Sequence, residues 1–110
     1  MNQFIMFLDE QLEIYRRQEQ ELLAEDCKDD ANFIKIKANV CGICKTLYQV
    51  ACKKEEEALI ASEYTRLLNK LITDWKASYE KAKEYGDMKK IVVEEMKLEV
   101  IEKIKERFEK

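Results

Sequence analysis

Residues 82–87 read Ala-Lys-Glu-Tyr-Gly-Asp, and the last two decide whether the second half of the chain is one helix or two. Gly86 can adopt the left-handed conformation that closes a helix and Asp87 can cap the next, the punctuation of an antiparallel helical hairpin. Apolar residues recur at helical spacing on both sides: Ile60, Tyr64, Leu67, Leu68, Leu71, Ile72, Trp75, Tyr79, Ala82 and Tyr85 before it, Val92, Val93, Met96, Val100, Ile104 and Phe108 after it. The two stripes are almost in phase. Without a turn at Gly86 the chain would therefore hold one helix from residue 58 to its end, far longer than an ordinary globular helix.

Working back toward the N-terminus, Phe33, Ile36, Val40, Ile43, Cys44, Leu47, Tyr48, Val50 and Ala51 share one side of a helix, opposite Lys35, Asn39, Gly42, Lys45, Thr46, Gln49 and Lys53. Between this stripe and the one that starts at Ile60 there is no glycine, proline or asparagine. The phase shifts by roughly 135°, however, so one straight helix could not bury both stripes, and a bend or loop is required between residues 52 and 58. The first segment carries its own stripe, Phe4, Ile5, Leu8, Leu12, Tyr15, Leu22 and Leu23. Asn2 can cap it, and Asp29 or Asp30 can cap the helix that follows.

The fold expected is all-α: an antiparallel bundle of four helices near residues 2–25, 30–52, 57–85 and 87–109, or three if the chain does not turn at Gly86. The absence of proline and the presence of two glycines, Gly42 and Gly86, agree with near-continuous helix. The 110 residues suit a single domain spanning 1–110, and 39% charged with 46% hydrophobic residues suits helices with one wet and one dry face.

Charge is unevenly laid out. Residues 1–26 carry seven acids against two arginines, and residues 27–53 carry five lysines against two aspartates. These segments should attract each other as an antiparallel pair. The apolar run Phe4-Ile-Met-Phe-Leu8 is five residues long and ends in acid, so it reads as neither a signal peptide nor a membrane span. Four cysteines without an export signal read as reduced thiols in the cytoplasm.

With no histidine, the chain lacks the commonest general base and metal ligand near neutral pH. Cys41-Gly42-Ile43-Cys44 has the Cys-x-x-Cys spacing of redox and metal sites, but it lies inside a helix with no strand before it. Cys41 and Cys52 are about 16 Å apart along that helix, so the thiols cannot close one tetrahedron there, and cysteine on an apolar face packs as a small hydrophobe. Acid pairs such as Glu94-Glu95 read as solvated surface. No Ser/His/Asp set or phosphate loop is present, and no enzyme, cofactor or metal site is expected. Lys35, Lys45 and Lys53 form a basic face, but three lysines beside an acidic helix give little affinity for nucleic acid. Lys37, on the apolar side, is expected to snorkel to water.

Two readings of function follow. The first is a small interaction or regulatory module, homodimeric or bound to a helical partner, that uses apolar pairs left over from the main stripes: Phe7 with Ile14, and Ile91 with Leu98, each seven residues apart. The second is a binder of a small ligand, in a bundle interior lined by Trp75 and Tyr79 or by the thiols Cys41 and Cys44.

Overall fold

The computed structural model describes residues 2–110, with side chains from Gln3 onward, so the cap expected of the Asn2 side chain lies outside the described residues. Four helices follow one another: α1 (Asn2–Ala24), α2 (Lys28–Ala51), α3 (Glu57–Tyr85) and α4 (Met88–Glu109), with one 3₁₀ turn, Cys52–Lys54, between α2 and α3. None is long and apolar enough to cross a membrane.

The turn at Gly86 is present. Gly86 has φ 68° and ψ 27°, its amide donates to the Lys83 carbonyl (3.2 Å) and the Asp87 amide to the Ala82 carbonyl (3.0 Å). This pair of bonds satisfies two carbonyls at the end of α3. The Asp87 carboxylate then accepts from the Lys90 amide at 3.2 Å, which caps α4. The three-helix alternative is thereby excluded.

The first turn forms in the same way but earlier than the sequence suggested. Asp26 takes the left-handed conformation (φ 62°), the Cys27 amide donates to the Leu22 carbonyl (2.8 Å) and the Asp26 amide to the Leu23 carbonyl (3.1 Å). Aspartate tolerates this conformation better than most residues. Because reversal is complete by Cys27, α2 begins at Lys28 rather than near residue 30, and Cys27 occupies the cap position with no side-chain bond to the helix amides. Asp29 and Asp30 are in the first turn, where they face the positive end of the helix dipole instead of capping it.

The bend expected between residues 52 and 58 is centred on Glu55, with φ 68° and ψ −38°, and the Glu56 amide donates back to the Lys54 carbonyl at 2.8 Å. This is a γ-turn, a strained geometry for an L-residue.

α1 lies antiparallel to α2, and Lys45 of α2 meets Asp9 of α1 at 2.6 Å, an ion pair between the two oppositely charged segments. α3 pairs in the same way with α4, and α2 packs against all three other helices. The molecule measures 45 × 36 × 20 Å. The shortest dimension is two helix diameters, whereas four aligned helices would be no wider than about 20 Å in the second direction either. The hairpins α1–α2 and α3–α4 therefore do not share one axis.

The core follows the predicted stripes through Leu8, Leu12, Val40, Cys44, Tyr48, Ala51, Ile60, Tyr64, Leu68, Ile72, Val100 and Ile104. Leu23, Ile43, Val50, Tyr85 and Val92 depart from it and are exposed, while Ile101 joins the buried set. Leu23 and Tyr85 lie in the last turns of α1 and α3, next to the two hairpin turns.

Glu55→Gly should leave the midpoint of urea unfolding unchanged or raise stability by up to about 1 kcal/mol, because glycine relieves the positive φ. Gly86→Ala should lower stability by about 1 kcal/mol. A Cβ at Gly86 meets nothing within 4 Å, so the loss would come from the backbone alone.

Candidate functional site

The up-and-down order brings the start of α1, the end of α2, the start of α3 and the end of α4 to one pole of the molecule, and each contributes an aromatic ring. Tyr64 stands against Phe108 (4.8 Å between centroids), Tyr48 (5.1 Å) and Phe4 (5.6 Å), and Phe4 against Phe108 (5.0 Å) and Tyr48 (5.2 Å), mostly edge to face. That is the arrangement the ring quadrupole favours. The buried Tyr64 hydroxyl donates to the Cys44 carbonyl at 3.0 Å. Burial, and then the neighbouring Cys44, Tyr48 and Cys41, hold this phenol far above its usual range.

A cleft of ≈ 510 Å³ opens at this pole, lined by Phe4, Tyr48, Ile60 and Phe108 with Gln3, Glu57, Ala61, Arg107 and Lys110 around it. The Arg107 guanidinium is held over the Phe7 ring, 4.9 Å from its centroid. The residues that line the cleft were not singled out as a site from the sequence; Phe7, beneath Arg107, was, as half of an apolar pair. The signal was nevertheless there, because four aromatics near four helix ends must meet once the topology alternates.

Cys41 and Cys44 are buried on successive turns of α2, next to Tyr64. Burial pushes the Cys41 thiol up to about 11, and burial with the neighbouring Cys41 pushes Cys44 up to about 12, so both are held as neutral thiols. All four cysteines are free, and among the described residues no group of three or more metal-ligating side chains comes together. Trp75 and Tyr79 lie three to four turns further along α3, about 16 Å or more from Tyr64. They face α4, where the Lys97 ammonium sits 4.5 Å from the Trp75 ring centre and the Tyr79 hydroxyl donates to Glu95 at 2.9 Å. The structure does not bring these aromatics and the thiols into one pocket.

Beside them is a residue that sequence reasoning missed. Glu94, taken as solvated surface, is 5% exposed. One of its oxygens accepts from Lys97 at 3.2 Å and the other has no partner. The signal was its register, seven residues before Ile101 and fourteen before Phe108, on the buried line of α4.

Of the apolar pairs, Phe7 and Leu98 pack against the core, Ile91 is half-buried, and Ile14 is 41% exposed in a shallow depression with Asp9, Glu10, Glu13 and Arg17. Lys45, from the basic face of α2, is engaged with Asp9, and Lys37 is half-buried. The two most exposed large apolar residues, Tyr85 (76%) and Met88 (71%), sit instead at the α3–α4 turn, with Met6 exposed on α1 and Leu23 50% exposed at the α1–α2 turn.

The chain matches no protein family model, no curated protein and no solved structure.

Titration of the native protein with a thiol reagent at pH 8 should modify Cys27 and Cys52 rapidly and Cys41 and Cys44 only as fast as the bundle opens, with all four reacting at once in denaturant. Raised thiol pKa values also fix the sign of the pH dependence. Between about pH 9 and 11 the unfolded chain loses protons that the folded one keeps, so stability should fall, by up to about 1.4 kcal/mol per pH unit for each thiol. Cys44→Ala should flatten that slope in urea unfolding measured across the range.

Proposed function

We propose that the protein is a non-catalytic helical interaction module of the cytoplasm that acts through its helix surfaces and pairs with a second copy of itself. The carrying observation is the chemical contrast between the two hairpin turns. Residues 19–30, around the exposed Leu23, hold six acids against one lysine, whereas residues 81–90, around the exposed Tyr85 and Met88, hold four lysines against two acids. Uncovered apolar side chains ringed by charge of one sign suit a surface of the opposite sign. A two-fold axis that sets the acidic turn of each copy on the basic turn of the other satisfies both contacts in one closed, self-complementary interface. The interior is taken up by packed rings and neutral thiols, which leaves the outer surfaces to do the recognising. Reduced cysteines in such a core suit the cytoplasm.

Light scattering after size exclusion under reducing conditions should give about twice the 13.1 kDa chain mass at low salt. The dimer should weaken between about 0.05 and 0.5 M salt as the turns are screened. Lys89→Glu with Lys90→Glu should give a monomer, and adding Asp29→Lys with Asp30→Lys should restore the dimer. A wild-type monomer at low salt would reject pairing. A dimer split by Ile14→Glu and indifferent to the turn substitutions would move the interface to the outer face of α1.

A further inference from the structure

The cleft at the aromatic pole has no part in the pairing of hairpin turns, which lie at the other end of the molecule. We infer that it is a binding site for a small organic monoanion with a flat apolar body, such as an aromatic carboxylate. Its volume, ≈ 510 Å³, falls within the range of pockets that enclose small ligands, roughly 300–1,000 Å³. The lining divides by chemistry. Phe4 and Phe108, half-buried and backed by the buried Tyr48, supply ring surface already held in place by mutual tilted and edge-to-face contacts, so a planar ligand finds a rigid floor.

The rim supplies the charge. No carboxylate among the described residues pairs with Arg107, and its position over Phe7 fixes the guanidinium at the mouth without using its donors. A guanidinium so held offers a planar fork that matches a carboxylate. Lys110 is the second cation, tied to Glu106 at 3.7 Å. Glu57 is the one carboxylate of the lining. With Lys110 engaged by Glu106, Arg107 is the cation of the lining that no described carboxylate pairs with; one free guanidinium suits a single negative charge, and Glu57 disfavours a phosphate-like dianion.

Titration of the full-length ¹⁵N-labelled protein with benzoate, followed by amide chemical shifts, tests the site with a probe of this class. Benzoate should produce saturable shifts at residues 57–61 and 107–108 with a Kd on the order of 1 mM, the scale expected for a ligand of this size. Benzamide, which keeps the ring and loses the charge, should bind about tenfold more weakly, and benzylammonium weaker still. Arg107→Gln, at an exposed position, should weaken benzoate about tenfold and leave benzamide unchanged. Ala61→Phe, which fills the cleft from an exposed position, should abolish both responses with the rest of the spectrum intact. Equal binding of the three probes, a benzoate response indifferent to either substitution, or no saturable shift at the pole would each overturn the assignment.

Discussion

The Tyr64 hydroxyl donates to the Cys44 carbonyl at 3.0 Å, in a place where neither group has access to water. A buried phenol without a partner would be strongly penalised, whereas a helical carbonyl keeps a second lone pair for such a donor. The bond therefore fixes α3 against α2 at one height and one rotation. Once Tyr64 is fixed, its ring sets the positions of Phe108 from α4 and Phe4 from α1, each within 6 Å of it. Edge-to-face pairs of this kind contribute about 0.5–1.5 kcal/mol each beyond the area they bury, and they share one centre, so the loss of one ring disturbs the others. These rings tie the two hairpins together at this pole.

α2 makes the arrangement possible because it is buried on two sides. Ala31, Ala38, Cys41 and Tyr48 lie on one buried arc, with Val40, Cys44 and Ala51 beside it. Small residues let neighbouring helices approach, and the two thiols fill space as apolar groups of intermediate size. Their raised pKa values are a consequence of that packing: the environment that makes a thiol useful in a core makes its thiolate unfavourable. The same position in the fold explains why Cys41-Gly42-Ile43-Cys44 carries the spacing of a reactive motif without its surroundings. It starts no helix, lying in the middle of α2.

The turn between α3 and α4 was legible in the sequence because it has a local chemical cause. Gly86-Asp87 needs a residue without a Cβ penalty and a capping carboxylate, and both are written in the chain. The bend after α2 was legible from phase alone, although its centre, Glu55, carries no turn signal. What periodicity could not reveal is how far each stripe is covered. Ile43 and Val50 fall on the apolar side of α2 and yet are exposed, since its neighbours are set by Tyr48 and Cys44 and leave that edge open. Glu94 is the opposite case. Its residue type indicated surface, but its register with Ile101 and Phe108 put it inside, where Lys97 is drawn in as its counter-charge and comes to rest on Trp75. An apolar pattern identifies the side of a helix that faces the protein. The angle at which helices cross decides which members of that side are sealed.

That angle also links the structure to its proposed roles. In four parallel helices the turns would sit beside one another, and the acidic turn would be neutralised by the basic turn of the same chain. Each turn carries its own charge and its own uncovered apolar side chains, and among the described residues no ion pair joins the acidic turn to the basic one, so in the proposed pairing the complement of either comes from outside the chain. At the tied pole the constraint acts in the opposite sense. Ring packing there is already paid by the fold, so Phe4, Tyr48 and Phe108 need not reorganise to meet a planar ligand, and Arg107 is oriented before any anion arrives. The contacts that close one end thus leave rigid surface at that pole and unsatisfied charge at the other.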